Sequence, residues 1–171
     1  MNNAIEILHC YVSPGHNFFG HHGKPMGTHP MVEVPQLECI AGHGIRGDRF
    51  FDYKEDYKGQ VTFFAEEVYD RLCERLGVWD KCPSVLRRNV MTRGADLNTL
   101  IGAEFEIQGL RFLGTEECRP CYWMDRAFCP GAEAAMQGEG GLRAQILSSG
   151  ILRSSAGATL LDQVLPGALP L

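Results

Sequence analysis

Cys118 and Cys121 stand with two residues between them in the run Glu116-Glu117-Cys118-Arg119-Pro120-Cys121-Tyr122-Trp123. That spacing serves metal chelation, thiol–disulfide exchange and sulfur transfer. A structural zinc ion takes about four ligands, commonly as two pairs. Cys129 could bring a third thiolate, but the fourth ligand would have to come from a distant part of the chain, so the spacing disfavours zinc. A dithiol oxidoreductase would also carry proline directly before the second cysteine, as Arg119-Pro120-Cys121 does, and would gain a lowered thiol pKa at a helix N-terminus. Proteins of that kind carry the pair early, after the first strand of a βαβ unit, whereas this pair follows a hairpin pattern late in the chain. The third chemistry is a single thiolate at Cys121, acting as a persulfide bearer or as a soft metal ligand. Arg119 beside it, with Arg87, Arg88 and Arg143 as further cations, would favour the anion. Two buried structural thiols is the plain alternative, and it suits Cys118 better than Cys121.

Four of the six histidines, His16, His21, His22 and His29, fall between Gly15 and His29. No carboxylate or cysteine lies at a recognised ligand spacing from them, so the expectation is a long solvated Gly/His-rich loop over about 15–30 that acts as a lid over a pocket. Gly42, Gly44 and Gly47 follow the order Gly-x-Gly-x-x-Gly. What comes next is Asp48-Arg49-Phe50-Phe51-Asp52 rather than an apolar helix, which sets a dinucleotide fold aside. Cys10, Cys39 and Cys73 read as small apolar filler.

These residues need a scaffold, and the pattern supplies one that is mostly strand. Ala4–Val12 reads as a strand ending at Ser13-Pro14-Gly15. Met31–Ile40 alternates as a half-buried strand does, with Pro35 favouring an edge or bulge. Gln60–Phe64 is a short apolar strand. Ala65–Leu76 is the strongest helix: Phe64, Val68, Leu72 and Leu76 recur every four residues and Gly77 closes it. Arg87–Arg93 reads as a strand bracketed by cations, and Ala103–Gln108 and Leu110–Thr115 as two strands joined at Gln108-Gly109. Pro130–Gln137 predicts a short helix, and Gly140–Leu147 and Gly150–Arg153 predict further strands. The fold expected is mainly β with peripheral helices, a closed or partly open β-barrel.

A chain of 171 residues suits one domain, 1–171. Its 44% hydrophobic and 22% charged residues match ordinary globular proteins, which argues for a packed core. Sixteen basic against 21 acidic residues give a net charge of -5, which argues against nucleic acid as a partner. The first residues lack the basic and apolar parts of a signal peptide, and no run reaches the ~20 apolar residues of a membrane span. With seven cysteines, an odd number, free thiols and a cytoplasmic setting are expected.

Six short motifs then occur in register: Gly44–Arg49, Gln60–Phe64, Arg87–Met91 with Asp96–Asn98, Ile101–Phe105, Cys118–Cys121 and Gly141–Ile146. In this order the chain resembles MOSC domains, named for the C-terminal domain of molybdenum cofactor sulfurases. The resemblance implies a strand-rich barrel and a functional second cysteine, which is Cys121 here. In relatives holding the molybdenum cofactor (molybdopterin) that cysteine ligates the metal, and in others it is proposed to carry sulfur. The family's Arg-x-Asn element matches Arg87 and Asn89 toward the pterin phosphate, and the residue two before the cysteine matches Arg119. Arg49 and Arg143, inside matched motifs, join them as candidate cofactor contacts. The resemblance also implies a small-molecule substrate, reduction of N-hydroxylated compounds or cofactor handling, and either redox partner proteins or a cysteine desulfurase. At family level it brings an association with pyridoxal phosphate. Where many relatives have a closing Gly-Asp turn, this chain has Ile151–Thr159.

Overall fold

The computed structural model describes residues 4–17 and 24–157. Its backbone is a seven-stranded sheet and a three-stranded sheet with three short helices packed around them. The large sheet has the order β2 (Val32–Val34), β1 (Glu6–Val12), β6 (Val90–Arg93), β5 (Val61–Ala65), β9 (Leu142–Ile146), β8 (Leu110–Glu117), β7 (Glu104–Ile107). The small one runs β10 (Gly150–Arg153), β3 (Gln36–Ile40), β4 (Gly44–Ile45). Among the strands of the described residues β5 and β6 alone pair in parallel, joined through α1 (Glu66–Leu76), and the other strand pairs are antiparallel.

Of the two forms expected of the barrel, the open one is formed. Among the described residues β2 and β7 are the two ends of the large sheet and do not pair, so the barrel is not closed. At the β2 edge stands Pro35, which cannot donate to a ladder. The chain pairs with β1 as far as Val34, passes through Pro35, and from Gln36 pairs with β10 in the other sheet. Pro35 marks this crossing, and its carbonyl accepts the Ser154 N–H at 3.2 Å.

The large sheet is covered on both faces, as period-two alternation requires. In β5 all five residues are buried. Val61, Phe63 and Ala65 face a core shared with Leu37, Cys39, Ile45 and Leu152 of the small sheet. Phe64 faces a second core with Leu72 and Cys73 of α1 and with Met124, Phe128 and Met136 near α2 (Trp123–Ala127) and α3 (Ala132–Ala135). The helix α1 ends where the spacing predicts: Gly77 takes the left-handed conformation (φ 65°) and its N–H returns to the Cys73 carbonyl. The β7–β8 hairpin turns at Gln108 and Gly109, both with positive φ.

Two expectations shift. The strand read over Arg87–Arg93 begins only at Val90, because Arg87 caps a 3-10 turn over Pro83–Leu86 in the left-handed conformation (φ 59°). The helix α2 lies in a segment that carries no helix in the sequence reading. No helix of the described residues is long and apolar enough to cross a membrane.

Candidate functional site

The site is assembled around Asp48, whose side chain is 1% exposed. Oδ1 accepts the Ser13 N–H at 3.1 Å, the Asn89 amide at 3.3 Å and Arg49 Nη1 at 3.3 Å, and Oδ2 accepts the Phe50 N–H at 3.2 Å. Gly47, at φ 84°, brings the loop after β4 to this point. A carboxylate so deeply buried needs its charge matched, and Arg49, 8% exposed at the side chain, supplies the match.

Asn89 is buried in the same network. Its amide donates to the Tyr11 carbonyl (3.2 Å) and to Asp48, and its Oδ1 accepts the Thr62 N–H (3.1 Å) and hydroxyl (3.0 Å). It ties β1, β5 and Asp48 together. Arg87 reaches across to the N-terminal loop, donating to the carbonyls of His29 (2.7 Å) and Gly15 (2.9 Å) and to Ser13 Oγ (3.3 Å). The left-handed turn at Arg87 aims it there.

Burial first and then repulsion from Arg49 bring the Arg87 guanidinium down to about 10, against a raising pull from Asp48. Arg49 is also lowered, by burial first, against the raising pull of Asp48 and Cys118. His16 is lowered by burial and then by Arg49 and Arg87, and its ring meets Phe50 edge-on at 5.0 Å. The site is therefore rich in positive charge that its one deeply buried carboxylate does not neutralise.

The cysteine segment is clamped from below. Arg88 is 7% exposed and donates to three main-chain carbonyls: Leu86 (2.5 Å), Gly140 (2.9 Å) and Cys118 (2.9 Å). Expected beside the thiol as a charge, Arg88 directs its donors to the backbone and fixes the segment in place. The Cys118 N–H donates to the Gly141 carbonyl at 2.7 Å. A Cβ on Gly140 would sit 2.3 Å from the Cys118 carbonyl oxygen, so only glycine lets the two segments approach this closely.

The two cysteines occupy different surroundings. Cys118 is 7% exposed and Cys121 is exposed. The cations gather on Cys118. Burial alone would lower the Arg143 guanidinium, but its hydrogen bond and charge interaction with Cys118, with Tyr57 and Glu116 adding to it, raises it above the ordinary value. Arg143 also donates to Glu116 at 3.1 Å. Tyr57 is raised by burial, with Arg143 and Arg49 opposing and Tyr53 and Cys118 reinforcing. Arg119 is exposed, and it acts on Glu116, which is held low by the Lys58 hydrogen bond first, then by Arg143, Lys58 and Arg119 against burial. The Cys121 carbonyl accepts the Met124 N–H at 2.8 Å and so starts the turn into α2.

The structure thus brings Arg49, Arg87 and Asn89 together at Asp48, joins Arg49 and Arg143 at Cys118, and leaves Arg119 and Cys121 at the surface of the same segment. Sequence reasoning missed Asp48 and Tyr57. Asp48 stood inside a quoted motif, and a lone acid among glycines signals burial only when its four donors are known. A cavity of about 360 Å³, within the range of small-ligand pockets, lies alongside, with Asn17, Met31, Lys81, Arg87 and Arg126 in its walls. Of the loop histidines, His21 and His22 lie outside the described residues. Among the described residues no group of three or more His, Cys, Asp or Glu is arranged to hold a metal ion.

None of the seven cysteines is in a disulfide. Burial pushes the Cys10 and Cys39 thiols up to about 12 and raises Cys73, so native alkylation at neutral pH is expected to label Cys82 and Cys121 first and to spare these three. Peptide mapping after a short iodoacetamide pulse checks this, and early label on Cys10 or Cys39 would contradict it.

A family model described as the MOSC domain matches residues 21–153. Among solved structures, the chain is similar to the YUAD protein from Bacillus subtilis, with a TM-score of 0.67 at 17% identity, covering 88% of this chain and 92% of that one. It is similar to YiiM from Geobacillus stearothermophilus, with a TM-score of 0.61 at 13% identity over 87% of this chain and 71% of that one. YiiM from Escherichia coli gives a TM-score of 0.59 at 15% identity over 91% and 67%. No curated protein matches the chain.

Proposed function

The chain belongs to the MOSC domain family, and from that premise we propose that it binds the molybdenum cofactor and acts on a small molecule, reducing N-hydroxylated compounds or handling the cofactor. The observation that carries the reading is a chain of wholly or partly buried guanidinium groups: Arg143 and Arg49 interact with Cys118, and Arg87 stands beside Arg49. Burial first, then repulsion from a neighbouring cation (Arg88 on Arg49, Arg49 on Arg87), depresses both groups, which is the condition a bound anion relieves. The donor set suits the group: a soft thiolate for molybdenum and planar guanidiniums for a phosphate.

In this reading Cys121 holds the metal, and Arg87, Arg119, Arg49 and Arg143 face the pterin and its phosphate. Asn89 holds Asp48, and through it Arg49, in position. When bound, the cofactor supplies a metal centre that exchanges electrons with the substrate. Redox partner proteins would supply the electrons. A cytoplasmic setting accords with the free thiols.

The test is molybdenum content after expression in a host that makes the cofactor and in one that does not. Near-equimolar metal from the first and none from the second is expected, and metal-free protein from the first overturns the reading.

A second reading has its own support. Cys121 is exposed on a segment of fixed backbone, which is what a thiol needs to meet the persulfide of a protein donor such as a cysteine desulfurase. There the protein is a metal-free sulfur carrier.

A further inference from the structure

We infer that the cysteine pair divides one task between two sites, Cys121 receiving a sulfane sulfur at the surface and Cys118 holding it among Arg49, Arg143 and Tyr57. This inference rests on the sulfur-carrier reading. Three observations carry it. Only two residues separate the two cysteines, yet Cys121 is exposed and Cys118 is 7% exposed. The main chain of Cys118 is held at both its N–H and its carbonyl, by Gly141 and Arg88, so its sulfur is fixed relative to the groups around it. Two of those groups are neighbours: the point where Gly59 would carry a Cβ lies 3.3 Å from Tyr57 Cζ and 3.4 Å from Arg143 Cδ, and Arg143 hydrogen-bonds Cys118 while Tyr57 and Arg49 interact with it through charge.

The Tyr57 ring is held by stacking on Phe50 (5.3 Å) and by Tyr53 (4.8 Å). Its hydroxyl makes no hydrogen bond to any described residue and is available to a new acceptor. An exposed thiol suits a macromolecular donor. A buried one, ringed by cations and a phenol, suits a charged and oxidation-sensitive product.

The steps balance without an oxidant. The Cys121 thiolate attacks the outer sulfur of the donor persulfide; a sulfur–sulfur bond forms to Cys121, the bond to the donor breaks, and the donor leaves as a thiolate. The Cys118 thiolate then attacks the outer sulfur of the Cys121 persulfide. The new bond forms at Cys118, the old one breaks, and Cys121 leaves as a thiolate and takes up the proton given up by Cys118. No electrons are gained or lost overall. Arg49 and Arg143 offset the charge of the Cys118 persulfide, and the Tyr57 hydroxyl donates to it.

The test loads the full chain with a cysteine desulfurase and cysteine, alkylates it, and locates the added sulfur by peptide mass spectrometry. Wild type is expected to carry it on Cys118, Cys118→Ser on Cys121, and Cys121→Ser nowhere. Arg143→Gln is expected to release the Cys118 sulfur to cyanide about tenfold faster, the scale of one lost charge-assisted hydrogen bond. Cys118→Ala serves in place of the serine variant if thermal melting shows that one unfolded. Sulfur confined to Cys121 in wild type, or loaded directly onto Cys118 in Cys121→Ser, overturns the division of labour and leaves the carrier reading standing. Sulfur on none of the proteins overturns both.

Discussion

Cys121→Ser is expected to leave a folded protein whose molybdenum content, after expression in a host that makes the cofactor, falls at least about tenfold below wild type. The side chain is exposed and buries nothing, so unfolding free energy should move by less than about 0.5 kcal/mol. Serine keeps the shape but replaces a soft sulfur with a hard, protonated oxygen, which a molybdenum centre binds poorly. Cys118→Ser makes the contrast. Its sulfur lies against Arg143 rather than at the surface, so its loss should cost stability and retain most of the metal. Elemental analysis beside a thermal melt separates the two effects. Unchanged metal in Cys121→Ser would show that the guanidinium pocket alone retains the cofactor, and equal functional loss in both variants would favour a dithiol mechanism.

The second large effect belongs to Asp48. Replacing it with alanine removes four hydrogen bonds and leaves the Arg49 charge buried without its partner. Breaking one side of a buried pair costs about 3–5 kcal/mol, a large part of the 5–15 kcal/mol typical of a whole domain. Denaturant titration is the measurement, with the midpoint falling and the slope unchanged. Asp48→Asn keeps acceptor capacity without charge and should lie between. Adding Arg49→Met to Asp48→Ala should recover part of the loss, because the uncompensated cation is then gone. If Asp48→Ala costs less than about 1 kcal/mol, the carboxylate is not the centre on which the site is built.

Much of the scaffold was legible because its signals are local. The four-residue recurrence from Phe64 to Leu76 with Gly77 behind it fixes α1, and the Gln108-Gly109 pair fixes a hairpin turn. The open edge of the barrel was not, since it depends on where the chain leaves one sheet for another. Pro35 suggested an irregularity without saying which sheet Gln36 joins. The helix α2 escaped notice because five residues are too few for periodicity, and its start is set by the Cys121 carbonyl.

Candidate residues could be named from motif order, but their arrangement could not. Motif order named Arg49, Arg87, Asn89, Arg119, Cys121 and Arg143. Which cysteine meets the cations depends on the direction of side chains within a four-residue segment, and Arg88 could be recognised as a clamp only when its three carbonyl partners were seen together.

That clamp bears on the order of assembly. Arg88 joins a turn before β6 to main-chain groups 30 and 52 residues further along, on either side of the cysteine segment and α2. Each such closure costs chain entropy that nearby contacts do not return until β9 has docked between β5 and β8. The Arg88 bonds therefore tie the placement of the cysteine segment to that of the Arg87 turn. Local opening of β9 would undo both at once, so the chemistry of the thiols and the cooperativity of the fold are a single property of this chain.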